Sequence, residues 1–587
     1  MYLHNWKMQD LIAEVYSRLL VSAREPSLAL QTVKDNVLTW LIWFVLTLIL
    51  ATRASSQAWS TFRAADPDSD TRSIQRLPYW LPFFGTIPFL RFRSQSWLLS
   101  QSRAYQSGVF ALRLSGQHHI VVTSPALQAR LSDTTTPVST RPYGDARSRR
   151  LFNNSQATEG TSSRISKALQ TYSNDNARLA KVTGLLEAHA YNFVSGCESW
   201  VDQAQWERSA EVQTLSESPM LSVSASLPTL TRDFSSHIVL SALLGTSFVE
   251  ANPGFINDLF VFSGKFSTFM TGLPYWFAPG LGPPALARER CLLVLDGLVT
   301  AIVADMDGRS MQGTGAGMLY DLEDVHPAVW DLIKNARLDG VRTRTISCEV
   351  LEVVWQTTFP TINMVLWLVI YLFMDGDSNQ MALQSIRAEL KSVVQVIQPK
   401  PTGLPFKDPP RLNFSTDVSS GLEKDCPIMK GALLEVQRLE TELEEYLTVI
   451  EDFVLQSGSK SVHEQFKMKK DDLIYAAYGA TNKDSQYWDR PRRFAPSRFM
   501  LKGADTAEKL SVENRLPKMR STQHQMLQAD VLCIVAALLA FYDIASLDDG
   551  GLTYPGSNMV AGIGVPKDFK SKVTRRPASS SKDVGFG

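Results

Sequence analysis

The chain has 587 residues, of which 44% are hydrophobic and 20% charged. This globular composition excludes wholesale disorder or a fibrous repeat and leaves room for roughly two to four average domains, or for one extended fold of roughly 400 to 500 residues. Lysine plus arginine and aspartate plus glutamate both number 59, so the strong positive field that nucleic-acid binding needs is missing and no nucleic-acid partner is expected. The five cysteines, Cys197, Cys291, Cys348, Cys426 and Cys533, stand singly without CxxC pairs or a disulfide framework. They predict reduced thiols in a cytosol-facing domain.

After an N-terminal segment, residues 1–35, comes the uncharged run NVLTWLIWFVLTLILAT over 36–52, bounded by Lys34-Asp35 and Arg53. A bilayer core takes about 17 to 25 helical residues, so this run predicts a single transmembrane anchor, with Trp40 and Trp43 suited to the interface. A buried core helix is the competing reading, and the lack of any polar face weighs against it. The basic residues on the two sides are balanced, so they do not set the orientation.

Residues 53–76 read as a polar linker, and RLPYWLPFFGTIPFL at 76–90, with three prolines, as a stiff connector. GVFALRLSGQHHIVVT at 108–123 predicts two strands around a Ser-Gly turn, and a helix follows from Ser124 with a serine cap and Pro125 in its first turn. His118 and His119 are neighbours on a strand and point to opposite faces, which argues against a metal pair. Helical periodicity prevails from Ser163 to Met374, broken by a Gly- and Pro-rich run at 273–287. The apolar stretch 350–373 is long enough to span a membrane. Glu349 at its edge, Glu352 inside it and Pro360 in mid-run favour a central helix of a soluble core. Residues 397–427 read as a Pro-rich loop, and 577–587 as a disordered tail.

A helix expected over 433–446 places Glu435 and Arg438 three apart on one face, a spacing that any solvated surface pair shares. About fifty residues on stands DSQYWDRPRRFAPSRFM at 484–500, in which Trp488, Pro491, Phe494, Pro496, Arg498 and Phe499 follow the pattern W-x-x-P-x-x-F-x-P-x-R-F. Together these resemble the ExxR helix and meander of the cytochrome P450 family. The hinge PYWLPFFG and the pattern around Trp367 look most like the branch with cholesterol 7-alpha-hydroxylase, prostacyclin synthase and fungal relatives. The resemblance covers about residues 77–576. It implies a mostly α fold with small β-sheets behind a single N-terminal transmembrane helix, and a structural triad of Glu435, Arg438 and Arg498. It also implies a haem cofactor, an NADPH-cytochrome reductase partner, the endoplasmic reticulum membrane, and monooxygenation of a hydrophobic sterol, terpenoid or polyketide.

The family's cysteine loop, F-x-x-G-x-R-x-C-x-G, does not follow the meander. Between Leu516-Pro517 and the next helix there is neither Cys nor Gly. Cys533 is the nearest thiol and the candidate ligand for haem iron, although inside VLCIVAALLAF it reads as a small buried hydrophobe. His524 is a second candidate by position alone. For proton delivery the resemblance points to Thr358 and Thr361, with Thr357, Asn363 and Pro360 beside them and no acid in company. Leu447 and Thr448 stand where the family commonly has an arginine for a haem propionate. Two explanations remain: a short segment lost or mistranslated in the sequence of an ordinary monooxygenase, or a relative that keeps the scaffold as a non-catalytic lipid- or partner-binding protein.

Overall fold

The computed structural model describes residues 37–64, 71–81, 85–86, 97–104, 108–114, 116–157, 160–215, 220–272, 278, 280–309, 320–399, 408–415, 422, 425–442, 444–456, 465–502, 510–512, 528–548 and 550–577. Over these the protein is mostly helical with small sheets. It divides into two units, residues 1–121 with 462–466 and residues 122–461 with 467–587.

In the first unit, α1 (Val37–Ala58) forms from a leucine-rich run with no breaker and runs six residues past the expected end at Thr52. Thr52 Oγ1 turns back onto the carbonyl of Leu48 (2.7 Å), so its hydroxyl adds no open polarity. The apolar side chains of α1 face outward, with Leu41, Phe44 and Leu50 more than half exposed. Ser56 ties the helix end to the chain beyond it, its Oγ donating to Tyr79 O (3.0 Å) and accepting from Tyr79 N (3.1 Å). Strands β1 (Thr61–Arg63), β2 (Ile74–Arg76), β3 (Val109–Leu114) and β4 (Gln117–Val122) pair in that order. The expected linker over 53–76 therefore holds the end of α1 and two strands, because main-chain pairing rather than polarity governs it. Gly85 sits at φ +60, where a Cβ would lie 2.1 Å from Arg113 O, so only glycine permits this approach to β3.

The second unit begins with α2 (Pro125–Ser132), β5 (Val138–Ser139), α3 (Arg141–Arg150), α4 (Thr161–Asn174) and α5 (Asn176–His189). Pro125 opens α2 as expected, but the Ser124 side chain makes no capping bond. Strands β6 (Gln213–Thr214) and β7 (Ser222–Ser226) precede α6 (Leu227–Leu244), α7 (Phe255–Ser263), α8 (Gly282–Met306), α9 (Pro327–Leu338), α10 (Thr343–Phe373) and α11 (Asp377–Leu390). Then come β8 (Val394–Ile397), β9 (Arg411–Phe414), α12 (Pro427–Glu440), β10 (Glu445–Val449), β11 (Leu473–Ala476), α13 (Gln528–Phe541), β12 (Tyr542–Ala545), the hairpin β13 (Ser557–Val560) with β14 (Ile563–Pro566), and β15 (Lys570–Arg575).

Helix α10 is the axis of this unit. It is largely apolar, is buried from Thr345 to Phe373, and packs against α4, α6, α8, α11, α12 and α13. Trp355 and Trp367 fill its flanks, and their indole N–H groups find Ser263 Oγ (2.9 Å) and Gly564 O (2.6 Å), which removes the cost of burying them. Both α1 and α10 are long and apolar enough to cross a membrane by length and composition; the burial of α10 agrees with the core helix expected at 350–373. Pro360 lies inside α10, which continues unbroken to Phe373.

Two boundaries differ from expectation. Helix α12 starts at Pro427 and ends at Glu440, so Tyr446 lies in a strand rather than in the helix. The reason is long-range: β10 pairs antiparallel with β11, Glu445 opposite Ala476, and with β5, Thr448 opposite Ser139. The expected loop over 397–427 contains β9, which pairs with β8 from Val394–Phe414 to Ile397–Arg411. A four-stranded antiparallel sheet in the order β12-β15-β7-β6 joins the chain's last strand to its middle.

Candidate functional site

Glu435 and Arg438 stand one turn apart on the buried face of α12. Arg438 meets Glu435 with two parallel bonds, Nε to Oε2 and Nη2 to Oε1, both 2.8 Å. Its Nη1 donates to Pro491 O (2.7 Å) and to Asn482 O, and its guanidinium lies 5.0 Å from the Trp488 ring centroid. Arg498 Nε reaches the same Glu435 Oε1 at 3.0 Å, as does the Ala495 N–H at 3.1 Å. The Nη2 of Arg498 closes onto Arg490 O (2.9 Å). Glu435 and Arg438 are completely buried and every bond here is charge-assisted, which is how buried charges are tolerated. The structure thus brings all three sequence-expected residues together. Gly431 makes the contact close, since a Cβ there would meet Pro496 O at 2.9 Å; that glycine carried no separate signal in the sequence.

On α10 the hydroxyls are turned inward on the helix itself. Thr361 Oγ1 donates to Thr357 O (2.7 Å), Thr357 Oγ1 to Val353 O (2.9 Å), and Asn363 Nδ2 to Phe359 O (2.8 Å). Thr358 Oγ1 is buried and has no hydrogen-bond partner among the described residues. The acids lie one and two turns earlier. Glu352 accepts from Arg147 Nε (2.9 Å) and Nη2 (2.7 Å) and from Ser148, and Gln356 Nε2 reaches it at 3.2 Å. Glu349 accepts from Arg164 Nε (2.9 Å) and Thr161 Oγ1 (2.9 Å). Burial pushes the Glu352 carboxyl up, against the pull of Arg147. These ion pairs were not foreseen; the one available signal was two acids three apart in an apolar run.

Cys533 lies on α13, completely buried, beside Asp530, which pairs with Arg178. Burial first, and then the Asp530 charge, push its thiol far up. Cys348 and Cys426 are also buried and pushed up to about 12, and Cys291 is pushed up too, all chiefly by burial. A P450-type haem iron takes a thiolate ligand; all four of these cysteines are packed into the hydrophobic core, Cys533 inside α13, and none lines the cleft beside α10. His524 and the stretch 516–524 lie outside the described residues. Leu447 and Thr448 lie on β10, paired with Ile474 and Leu473. His118 and His119, adjacent on β4, are both lowered to about 4, chiefly by burial. Among the described residues no three His, Cys, Asp or Glu side chains converge to hold a metal ion.

A cleft of about 250 Å³ opens between α6, α7, α10 and the hairpin β13–β14, with Phe359, Ile362, Asn363 and Leu366 of α10 among the residues lining it. Its α10 residues alternate along the helix with Thr358 and Thr361, and it is mostly apolar, a lining suited to a hydrophobic ligand held by a few polar groups. Compared with known proteins, the chain matches no family model, and no curated protein matches it.

Proposed function

We propose that this chain is a membrane-bound relative of the cytochrome P450 enzymes. Its activity class is then haem-dependent monooxygenation of a hydrophobic small molecule, a sterol, terpenoid or polyketide, with O2 and electrons from an NADPH-cytochrome reductase at the endoplasmic reticulum. The observation that carries the reading is the Glu435–Arg438–Arg498 cluster, in which a helix pair and an irregular Pro-rich segment lock together through buried charge. The outward apolar face of α1 supports anchoring in the membrane, and the mostly apolar cleft beside α10 supports a lipophilic ligand.

The buried cysteines lie in the packed core and none of them lines the cleft beside α10. That same observation favours a second reading, a non-catalytic protein on the same scaffold that binds a lipid without redox chemistry.

The test is a carbon monoxide difference spectrum of the reduced full-length protein in membranes, with haem quantified alongside. A Soret band at the thiolate position with one haem per chain supports the monooxygenase. No haem at all sinks catalysis for this sequence and leaves the second reading. Sequencing the transcript across 516–524 then decides whether a cysteine-bearing segment belongs there.

A further inference from the structure

Three helices and a hairpin enclose the cleft beside α10. Its floor is Phe359, Ile362, Asn363 and Leu366, all at most 3% exposed, and one wall is Phe260 of α7. An apolar cavity of roughly 150 Å³ is known to hold benzene. At about 250 Å³ the cleft itself holds about ten carbons, so a sterol would leave most of its skeleton outside the open rim.

The polar groups define the rest of the ligand. Asn363 commits one of its two Nδ2 hydrogens to the Phe359 carbonyl (2.8 Å), which leaves Oδ1 as an acceptor and the second hydrogen as a donor, a pair that a ligand hydroxyl can meet by donating to Oδ1. At the rim the charges are already engaged. Arg232 Nε donates to Asp233 (2.7 Å) with its guanidinium 5.2 Å from the Phe260 ring centroid, and Asp568 accepts from Ser226 Oγ. Burying an anion on this floor would cost far more than burying a neutral hydroxyl, because among the described lining residues the one cation, Arg232, is already paired with Asp233.

We infer that this cleft is a binding site for a neutral molecule of about ten carbons with a single hydroxyl, its apolar skeleton against Phe359 and Leu366 and its O–H donating to Asn363 Oδ1. The inference narrows the ligand of the proposed function, and it makes no use of haem.

Equilibrium dialysis of the full-length protein in lipid nanodiscs, against empty nanodiscs, reads it directly with four probes: 1-naphthol, naphthalene, 1-naphthoate and cholesterol. One 1-naphthol per chain is expected, with naphthalene bound about five- to tenfold more weakly for want of the hydrogen bond and 1-naphthoate weaker still. Cholesterol should fail to displace it. Two blocking variants sit at the exposed rim. Val261 is 38% exposed. Gly264 has φ −58 and only ordinary contacts for an added Cβ, 3.5 Å to Phe260 O. Val261→Trp or Gly264→Leu should each weaken 1-naphthol at least tenfold at unchanged melting temperature, and Asn363→Leu should erase the preference over naphthalene. Equal binding by a folded blocking variant, or no preference for 1-naphthol in the native protein, would overturn the inference. Haem content is read separately: a normal carbon monoxide spectrum with no selective 1-naphthol binding fails this inference alone, and the converse fails only the enzymatic reading.

Discussion

Glu435 draws two arginines and one main-chain N–H onto a single carboxylate, so the three side chains are unequal partners. Arg438 is completely buried and makes the bidentate contact, whereas the Arg498 side chain keeps 13% of its surface exposed. Replacing Arg438 by Met removes two bonds to Glu435 and strands the carbonyls of Asn482 and Pro491. The expected cost is about 3–5 kcal/mol, read as a fall in the urea midpoint. Arg498→Met should cost less, because solvent reaches the arginine it replaces. Spacing alone put Glu435 and Arg438 on one helix face, and it was the resemblance of the meander that implied their buried triad with Arg498. The triad's carbonyl partners were not legible, since main-chain acceptors leave no trace in residue identity. The cysteines give a second residue-scale test. Cys197 is partly exposed while the other four are buried, so thiol titration of the native protein at pH 8 should find one fast group, lost in Cys197→Ser, and four that react only on unfolding. A fast-reacting Cys533 would contradict its place inside α13.

Helix α10 was legible because length, hydrophobicity and two acids all pointed to a core helix. The fate of those acids was not legible, because their partners come from α3 and α4, some two hundred residues away in the chain. The end of α12 was misjudged for a similar reason. ETELEEY has helical propensity, but the pairing of β10 with β11 and β5 overrides it. The cost of the ion pairs is testable at the level of two packed elements. Arg147→Met leaves Glu352 buried against α3 with Ser148 and Gln356 as its partners among the described residues, and should destabilise by about 3–5 kcal/mol. Replacing both, Arg147→Met with Glu352→Leu, removes the uncompensated charge and should recover most of that loss. A double variant as unstable as the single one would mean that the pair contributes through packing alone. The cleft beside α10 was beyond the reach of sequence reasoning, since it exists only where α6, α7 and the hairpin β13–β14 converge on one helix face.

Stability against pH is a property of the whole molecule, set by buried groups whose effects oppose one another. Burial raises the carboxyls of Glu352, Glu440 and Asp530, so their contribution is complete below the unfolded value and is lost as pH rises through the folded one. Three imidazoles of the second unit act the other way. His189, His237 and His326 are each lowered from 6.5, chiefly by burial, and His237 falls to about 4, with His189 adding to the shift. A lowered imidazole contributes stability that is present above 6.5 and is lost as pH falls through 6.5 towards the folded value, because only the unfolded chain then takes up the proton. Between about pH 6.5 and 4.5 the two sets therefore partly cancel in the intact protein, and a single substitution isolates one of them. His237 is 7% exposed, with its ring 5.2 Å from Trp206 and 5.5 Å from His189. His237→Phe keeps an aromatic ring in that stack and removes the titration. On going from pH 8 to pH 4.5 the native protein should lose about 2–3 kcal/mol more than the variant, measured as the difference in unfolding free energy between the two pH values. Equal losses would mean that His237 is as easily protonated in the folded protein as in the unfolded chain, and that solvent reaches the space between α6 and Trp206.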